Sequence, residues 1–363
     1  MKKLVIVVYD ISVLGGAERV TTSVANELSN YYEIVILSLM GDRVNDVYKL
    51  KKEIRVEFLG IKPSQLRTQI ISCFDPLKKF LKKQRADVVL LEGNYCGLLC
   101  SSVRLFCKTK FVFCDHGSFL SQYNEKRIRY SRRIATLLCD HTVVLTERSR
   151  DDYIKYFHLN EKKITCIYNW IDESAIDFHR AYNSASKSII SVGRFGREKG
   201  YDLLVQVAKK VMPNHRDWRW LIYGNGETFE EIKEAVKKEG IDDLVVLMGE
   251  TKNIREAYEN ASFLVLPSYR EGMPLALLEG KCYKLPLVSF DIISGPKEII
   301  LDRVNGFLIE PYNVDSMAER IEDLIRCPDL RISMADHAYD NIESFRMGSI
   351  VRSWRKLIEE TLG

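Results

Sequence analysis

Residues 3–31, KLVIVVYDISVLGGAERVTTSVANELSNY, combine three patterns that together indicate how the chain folds. The stretch begins with an almost entirely apolar, β-branched run, which is typical of a parallel strand covered on both faces. A glycine pair follows, and an amphipathic segment from Ala17 then predicts a helix. A strand, a glycine turn and a helix in this order form the first half of a β-α-β unit.

Short apolar runs of the same kind recur along both halves of the chain, with amphipathic segments between several of them. In the first half, the further predicted strands are 32–40, 54–60, 86–93, 110–116 and 141–146. In the second half, they are 188–195, 218–224, 244–249, 262–268, 286–291 and 306–311. We therefore predict two α/β domains, each a Rossmann-like doubly wound parallel sheet, facing each other across a cleft.

The alternation of strands and helices lapses in a polar, irregular stretch before residue 188. We place the domain boundary there, with an N-terminal domain over 1–172 and a C-terminal domain over 173–344. Two domains are also the expected number for 363 residues. The last segment, 345–363, is predicted to be a helix that packs back on the N-terminal domain. Its apolar stripe consists of Ile350, Trp354 and Leu357.

Composition is typical of a globular protein, with 46% hydrophobic and 29% charged residues. No run reaches the roughly 20 apolar residues of a membrane-spanning helix. We interpret the apolar N-terminus as a first strand rather than a signal peptide, because no small-residue cleavage site follows it. The nine cysteines form an odd number without zinc-ligand spacing, so we expect reduced, mostly buried thiols in a cytoplasmic protein.

The net charge of +4 is unevenly distributed along the chain. Residues 1–170 hold 28 Lys and Arg against 18 Asp and Glu, a balance of +10, so the remainder carries −6. The excess lies in the runs LKKFLKKQR (77–85) and KRIRYSRR (126–133). A basic, amphipathic helix suits an anionic membrane surface, although a solvated helix face explains each run alone equally well. Nucleic acid is not expected as a partner, because no binding motif for it accompanies the charge.

Ligands of open parallel sheets bind beyond the carboxyl ends of the strands, so the loops that follow strands should carry the chemistry. LGGAER (14–19) can bring backbone N–H groups close to an anion at a helix N-terminus, although a plain strand–helix turn also explains it. It is not the dinucleotide fingerprint, which argues against NAD. His116 ends another predicted strand and can donate a hydrogen bond to a substrate oxygen. Asp115 beside it either orients the ring or caps a turn.

The stretch SVGRFGREKG (191–200) places two cations after a strand and before a helix. Arg194 by bidentate hydrogen bonds and Lys199 as a point charge suit a diphosphate, whereas a pair of surface cations near Glu198 is the alternative. Gly224 and Gly249 follow the next two predicted strands and could offer backbone groups to a nucleobase, although plain turns also account for them.

The segment YREGMPLALLEGKCYK (269–284) raises a question, because two glutamates punctuate a stretch that otherwise reads as a buried helix. An unpaired buried carboxylate is costly, so both glutamates should have partners. Glu271 follows a predicted strand and lies beside a helix N-terminus that can hold phosphate. Helical geometry places Glu279 about 12 Å further on, rotated by about 80°, so that both carboxylates could accept hydrogen bonds from one sugar nucleotide. A hydrolytic carboxylate pair would be closer, within about 9.5 Å.

Taken together, these motifs resemble the GT-B fold glycosyltransferases of family 4, of the type that builds bacterial cell-surface polysaccharides. The resemblance rests on GGAER, SVGRF…EKG, YGNGE, the E-x7-E of PSYREGMPLALLEG, GPKEII and NGFLIEP. It implies a nucleotide-sugar donor bound mainly by the C-terminal domain, retention of anomeric configuration, and no metal or other cofactor. The implied catalytic residues are His116, Arg194, Lys199 and Glu271. The implied donor-binding residues are Gly15, Gly16, Arg194, Lys199, Gly224, Gly249, Gly272, Met273, Pro274 and Glu279.

The family also implies an acceptor at the N-terminal domain, often lipid-linked, which gives the basic runs a role at the inner face of the cell membrane. The candidate membrane contacts are Lys78, Lys79, Lys82, Lys83, Arg127, Arg132 and Arg133. We thus expect transfer of a hexose or N-acetylhexosamine, with UDP as the favoured nucleotide, to a lipid-linked oligosaccharide. SGPKE (294–298) departs from the Gly-Gly-x-x-Glu pattern of many relatives, which leaves the donor open.

Three alternatives stay open from the sequence. The chain could act on a small soluble acceptor, it could be a sugar-nucleotide epimerase, or it could be a non-catalytic subunit that binds a sugar nucleotide. The basic runs argue against the first two, and the complete set of cations and glutamates argues against the third.

Overall fold

The computed structural model describes residues 1–13, 15–62, 65–177, 182–251 and 253–363. Leu14 of the glycine motif and residues 178–181 of the predicted boundary region lie outside the described residues. The chain forms two compact units. Unit 1 comprises 1–169 and 348–363, and unit 2 comprises 170–347. The boundaries predicted from the sequence lay between 172 and 173 and between 344 and 345.

Unit 1 is built on a seven-stranded parallel sheet of order β3-β2-β1-β4-β5-β6-β7. Its strands are β1 Lys3–Asp10, β2 Glu33–Met40, β3 Arg55–Phe58, β4 Val88–Glu92, β5 Lys110–Asp115, β6 His141–Val144 and β7 Ile164–Cys166. Its helices are α1 Gly16–Leu28, α2 Leu66–Gln84, α3 Gly93–Cys100, α4 Lys126–Leu138 and α5 Glu147–Phe157, with shorter 3₁₀ helices at Ser101–Phe106, Leu120–Gln122 and Glu161–Lys163. Leu4, Val5 and Val7 are fully buried, as expected of a strand covered on both faces.

Unit 2 has a six-stranded parallel sheet of order β10-β9-β8-β11-β12-β13. Its strands are β8 Ser188–Val192, β9 Arg219–Tyr223, β10 Val245–Gly249, β11 Phe263–Leu266, β12 Leu287–Phe290 and β13 Gly306–Ile309. Its helices are α6 Glu173–Asp177, α7 Tyr201–Val211, α8 Phe229–Lys238, α9 Ile254–Glu259, α10 Leu275–Cys282, α11 Pro296–Ile299, α12 Val314–Arg326 and α13 Pro328–Asp336, with 3₁₀ helices at Arg197–Lys199, Met212–Asn214 and Ile342–Phe345. The core of this unit includes the fully buried Trp220, Phe263 and Met317.

Residues 348–363 of unit 1 consist of the last helix, α14 (Met347–Leu362), from its second residue onward, and the terminal Gly363. Ile350, Trp354 and Leu357 of its predicted apolar stripe are all buried. Arg355 on the same helix lies over the ring of Tyr31, its guanidinium carbon 4.1 Å from the ring centre. Because such contacts remove apolar area from water, the helix stabilises the unit to which it returns.

The two parallel-sheet α/β domains predicted from the apolar runs are confirmed. Each of the twelve predicted strands coincides with an observed one. The sequence reading missed β7, which has only three residues and therefore shows no usable periodicity.

Each sheet has one point at which the strand order reverses. In unit 1 this switch point lies between the neighbours β1 and β4, and in unit 2 it lies between β8 and β11. The loops that leave the carboxyl ends of two such strands diverge to opposite faces of the sheet and leave a crevice between them. The residues of these loops form the candidate site of each unit.

Candidate functional site

The switch point of unit 2 brings together a lysine and a glutamate that lie 72 positions apart in the sequence. Lys199 follows β8 and Glu271 follows β11, and the Lys199 Nζ lies 2.7 Å from the Glu271 Oε1. Ser268 donates a second hydrogen bond to the same carboxylate oxygen over 2.6 Å. The glutamate side chain is only 9% exposed and that of the lysine 19%. The predicted partner for Glu271 is thus present, and it is one of the two predicted phosphate-binding cations.

Arg194 lies on the same loop after β8, but its side chain is 70% exposed. Its nearest carboxylate is that of Glu198, with 3.6 Å between the Arg194 Nη2 and the Glu198 Oε1. A contact at this distance and exposure stabilises the fold little. Most of the guanidinium is therefore accessible to solvent.

Gly224 follows β9 and Gly249 ends the neighbouring strand β10, and the Gly224 N–H donates to the Gly249 carbonyl over 2.9 Å. Gly224 has a φ of +136°, and a Cβ at this position would collide with the carbonyl oxygen of Gly193. The glycine therefore lets the turn after β9 pack directly against the loop that carries Arg194. This packing is a structural reason for a glycine at position 224, in addition to the predicted contact with a ligand.

Gly272, Met273 and Pro274 connect Glu271 to helix α10, which begins at Leu275 with Pro274 as its N-cap. Met273 is 5% exposed, so its side chain forms part of the core. Because Glu271 precedes the helix, the helical estimate of 12 Å between the two glutamates does not apply to it. The prediction of a longer helix was wrong at its start, because the extended backbone of Pro274 (ψ 113°) delays the first helical turn.

The loop after β12 packs against Glu271 from the other side. Ser294 donates from its Oγ to the backbone carbonyl of Glu271 over 3.0 Å. Gly295 has a φ of +100°, and a Cβ there would lie 2.8 Å from the Pro274 Cδ. The SGPKE sequence thus fixes the backbone of Glu271, which gives Gly295 a role in positioning this loop.

Glu279, in helix α10, belongs to a different hydrogen-bonded group. Tyr258 in helix α9 donates from its hydroxyl to the Glu279 Oε2 over 2.6 Å, and Tyr258 is 1% exposed. Its ring stacks on that of Tyr283, with 5.2 Å between ring centres and an angle of 3° between planes. Sequence reasoning missed Tyr258, because nothing in its local pattern distinguishes it from an ordinary core aromatic.

In unit 1, the glycine motif follows β1 at the switch point. Gly15 is the N-cap of α1, and its N–H donates to the hydroxyl of Tyr48, which in turn donates to the carbonyl of Val13, both over 2.9 Å. The carboxylate of Glu18 lies back over Gly15, where a Cβ would collide with it. Burial raises the pKa of Glu18. Gly16 opens the helix, so the predicted loop-to-helix turn is present.

His116 follows β5, and its Nε2 lies 2.5 Å from the Oε2 of Glu92 at the end of the adjacent strand β4. The expectation that Asp115 orients the ring or merely caps a turn was incomplete. Its Oδ1 does accept the N–H of Gly117 over 3.0 Å, but its Oδ2 lies 2.8 Å from the Nε of Arg132 and accepts from Tyr153 over 2.7 Å. The residue that contacts the imidazole is Glu92, whose position at the end of an apolar run gave no such signal.

The structure corrects the prediction that Arg132 contacts a membrane. Its side chain is 1% exposed and pairs with the fully buried carboxylate of Asp115, because it lies on the inner face of α4. The other predicted membrane contacts are at least partly accessible. Lys79, Lys82, Lys83, Arg127 and Arg133 are exposed, and Lys78 is half-buried with its ammonium group 5.2 Å from the ring centre of Phe106.

In the part of the chain that the structure describes, no group of three or more His, Cys, Asp or Glu side chains is arranged to hold a metal ion. None of the helices found in those residues has the length and apolar character required to cross a bilayer.

Comparison with known proteins places these features in a family. A model described as "Glycosyltransferase Family 4" matches residues 14–175, and one described as "Glycosyl transferases group 1" matches 172–341. An uncharacterized glycosyltransferase of Haemophilus influenzae is 27% identical over 359 residues, which cover 99% of this chain and 100% of that protein.

A second relative and a solved structure are also similar over nearly the whole chain. The GalNAc-α-(1→4)-GalNAc-α-(1→3)-diNAcBac-PP-undecaprenol α-1,4-N-acetyl-D-galactosaminyltransferase of Campylobacter jejuni is 25% identical over 355 residues, 95% of each chain. The crystal structure of a TarM variant from S. aureus, in complex with fondaparinux, α-GlcNAc-glycerol and UDP, superposes with a TM-score of 0.82 at 18% identity and covers 99% of this chain and 100% of that one.

Proposed function

Since the chain belongs to glycosyltransferase family 4 and has the GT-B fold, we propose that it transfers a hexose or N-acetylhexosamine from a UDP-sugar to a lipid-linked oligosaccharide, with retention of configuration and without a metal ion. The donor occupies the switch-point crevice of unit 2. The acceptor is held by unit 1, at the inner face of the cell membrane.

The contact between Lys199 and Glu271 is the observation that supports the proposed donor site most strongly. A buried ion pair contributes little net stability, since desolvation offsets the attraction between its charges. Here it lies at the switch point, beside an exposed arginine and ahead of the N-terminus of helix α10. In this arrangement Glu271 holds the ammonium group of Lys199 in place, and both groups retain capacity for further hydrogen bonds.

The leaving group explains why two cations are needed. As the bond between the anomeric carbon and the diphosphate breaks, negative charge grows on the departing phosphate oxygens. Preorganised positive groups stabilise that charge in the transition state more than in the ground state. Arg194 supplies two parallel N–H donors and Lys199 a point charge, so together they take the part that a divalent cation plays elsewhere.

Retention fits the residues that surround Glu271. Its carboxylate already accepts hydrogen bonds from Lys199 and Ser268, which lowers its nucleophilicity and suits it to accept hydrogen bonds from sugar hydroxyls. In the proposed mechanism a phosphate oxygen of the donor takes the proton of the incoming hydroxyl on the same face of the sugar. Glu279, held by Tyr258, accepts hydrogen bonds from the ribose.

The acceptor class is inferred from the relatives and from the surface of unit 1. The Campylobacter relative is by name a transferase for a polyprenyl-diphosphate-linked glycan. On helix α4, the exposed residues Arg127, Tyr130, Arg133 and Leu137 follow each other at helical spacing. Positive charges interleaved with exposed aromatic and aliphatic side chains suit a surface that is both anionic and apolar, as a membrane with a lipid-linked substrate is.

Measurement of sugar turnover tests this function. Hydrolysis and transfer are measured across UDP- and GDP-sugars in EDTA, with an undecaprenyl-diphosphate-linked oligosaccharide and a free oligosaccharide as acceptors. We expect transfer from a UDP-sugar to the lipid-linked acceptor. The rate of this transfer should be at least tenfold lower in Arg194→Ala. Transfer to the free oligosaccharide alone would show that the proposed lipid-linked acceptor is wrong. Absence of turnover with every donor would contradict the whole proposal.

A further inference from the structure

A 3₁₀ helix of unit 1 ends in two exposed apolar side chains that have no role in the function described so far. Leu105 is 66% exposed and Phe106 57%, at the end of the helix Ser101–Phe106. The helix is nevertheless firmly attached to the unit. Val103 is fully buried, and Arg104 donates two hydrogen bonds to the Asp140 carboxylate, over 2.5 and 2.7 Å. The exposure of Leu105 and Phe106 is therefore a property of an anchored element rather than of a loose loop.

Helix α2 extends this apolar surface. Its Phe74 packs edge-on against Phe106, with 5.3 Å between ring centres, and the ammonium group of Lys78 lies 5.2 Å from the centre of the Phe106 ring. Ile71 is 69% exposed and precedes Phe74 by three positions, so it lies on the same face of the helix. Single apolar side chains at a surface need no explanation, whereas several adjacent ones mark an interaction site.

The two basic runs of the sequence lie on helices that meet this 3₁₀ helix, because it contacts both α2 and α4. Residues that are far apart in the sequence therefore contribute their charge to one region of unit 1. Several of these cations have no ion-pair partner among the residues that the structure describes, namely Lys78, Lys79, Lys82, Lys83, Lys126 and Arg127. Unit 1 thus leaves this positive charge without a neutralising carboxylate, next to an exposed apolar surface.

The charge determines which partner fits this surface. A symmetric contact with a second copy of the chain would bring the same cations against each other, and like charges in an interface are unfavourable. A nucleic acid would neutralise the cations but would offer no apolar phase to the aliphatic side chains. An anionic bilayer supplies both, since it has phosphate groups at its surface and acyl chains beneath them.

We propose that Leu105 and Phe106 insert into the acyl region of an anionic membrane, while the lysines of α2 and the basic residues of α4 contact the lipid phosphates. The inference rests on the proposed function, because that function places unit 1 at a membrane, and it names the residues that enter the bilayer. Since Arg104 already holds the 3₁₀ helix in place, insertion orders no further segment of the chain. The apolar area that it buries adds to the electrostatic attraction.

Vesicle sedimentation tests the insertion without any sugar nucleotide. The full chain is sedimented at low salt with vesicles of phosphatidylcholine and phosphatidylglycerol. Leu105→Ser with Phe106→Ser is compared with Val47→Ser and Ile332→Ser, a control pair that removes apolar side chains exposed by 63% and 38% elsewhere. We expect the first pair to lower the partition coefficient about tenfold, because binding strength follows the apolar area buried in the bilayer. The control pair should leave it unchanged.

Fluorescence quenching measures whether position 106 reaches the acyl chains. Phe106→Trp and Val47→Trp are each mixed with vesicles whose acyl chains carry bromine, and the wild type with its four native tryptophans provides the background. We expect quenching above the background in Phe106→Trp and none in Val47→Trp. This measurement keeps a large ring at position 106, so it does not depend on how much the serine variants lose in stability.

Two results would overturn the proposal. These are equal partitioning of the two serine pairs, or a Phe106→Trp protein that binds the vesicles without added quenching. Hydrolysis of a UDP-sugar in the absence of vesicles should be the same in the wild type and in the Leu105→Ser, Phe106→Ser variant. If the wild type turns over no sugar nucleotide, the proposed transfer fails on that result, while the vesicle measurements still decide whether Leu105 and Phe106 insert.

Discussion

Tyr258 is buried, and its hydroxyl is aimed at a carboxylate that is proposed to hold the ribose. Removal of the hydroxyl in Tyr258→Phe leaves the stacked ring in place but removes one hydrogen bond to the Glu279 carboxylate. Since a hydrogen bond to a charged group contributes roughly 1.5–3 kcal/mol, we expect UDP affinity to fall about tenfold. Isothermal titration calorimetry measures this change directly.

Tyr182→Phe is the matched control for this prediction. It removes a tyrosine hydroxyl that donates to the Ser262 carbonyl over 2.6 Å. Ser262 directly precedes β11, so this hydrogen bond lies at the amino ends of the strands, whereas the site lies at their carboxyl ends. The control should lose stability but keep its affinity for UDP. Equal affinities for UDP in both variants would show that Tyr258 is an ordinary core residue.

Lys281 is a fully buried charged residue of helix α10. Its side chain is fully buried, its Nζ donates to the Ile299 carbonyl over 3.4 Å, and burial lowers its pKa from 10.5 to about 8. Because the folded pKa lies below the unfolded one, the charged form costs stability below pH 8, and that cost disappears as the pH rises towards 10.5. Lys281→Met should therefore raise the free energy of unfolding at pH 7 by about 1–3 kcal/mol.

Urea unfolding of this variant at pH 7 and pH 9 checks the sign. The advantage over the wild type should shrink at pH 9, whereas the exposed Lys297→Met should change stability at neither pH. A Lys281→Met protein that is less stable than the wild type at pH 7 would show that the ammonium group is better satisfied than its contacts indicate.

How far single residues can be predicted depends on where their partners lie. Glu271, Lys199 and Arg194 could be proposed as site residues because charged groups in loops after apolar strands are conspicuous in the sequence. Ser268 and Tyr258 could not be identified in this way, since their hydroxyl groups gain a role only from the fold that brings them to a carboxylate. Glu92 was missed for the same reason.

Helix α4 shows how one element divides its charges between two environments. Its outer face carries Arg127 and Arg133, whereas Arg132 points inward to Asp115. Truncation of one partner of a buried ion pair leaves the other charge unpaired, which typically costs 3–5 kcal/mol. Arg132→Ala should therefore lose about that much unfolding free energy, and Arg127→Ala should change it by less than about 0.5 kcal/mol. Chemical denaturation of both variants compares them, and similar small losses would contradict the buried pair.

The same helix explains one failure of prediction. A run of adjacent basic residues shows that a helix is strongly charged, but adjacent positions point in different directions, about 100° apart. The sequence reading treated the run as one surface and so included Arg132.

Elsewhere in the chain, the patterns of apolar and polar residues were sufficient to predict most strands and helices. The exceptions were the three-residue β7, which is too short to show a pattern, and the start of α10, which is determined by the local backbone of Pro274.

At the scale of the whole molecule, the uneven charge predicts a salt-sensitive attraction to anionic lipid. We expect the protein to bind vesicles that contain phosphatidylglycerol at low salt and to be released as the salt concentration rises, since exposed charges are screened within about 10 Å at 0.1 M. Reversal of Lys82 and Lys83 to Glu should reduce the bound fraction several-fold. Reversal of Lys209 and Lys210, two neighbouring lysines on a helix of unit 2, is the control. Equal loss in both variants would contradict a role for unit 1, and vesicle sedimentation measures it.

The architecture of the whole chain was more predictable than its site. Two series of apolar runs, separated by a polar stretch, are sufficient to predict two parallel sheets, because strands buried on both faces must be continuously apolar. The site depends instead on which loops meet at each switch point, and strand order is not visible in the sequence.

The central claim is that the switch-point crevice of unit 2 binds a nucleoside diphosphate through side-chain cations. The most direct measurement is UDP affinity in EDTA for wild type, Arg194→Ala and Arg197→Ala, two exposed arginines of one loop, of which Arg197 contacts Glu231 at 3.5 Å. We predict that the wild type and Arg197→Ala bind UDP alike and that Arg194→Ala binds it at least tenfold more weakly. A wild type that binds neither UDP nor any other nucleoside diphosphate, or equal affinities in all three proteins, would contradict the account.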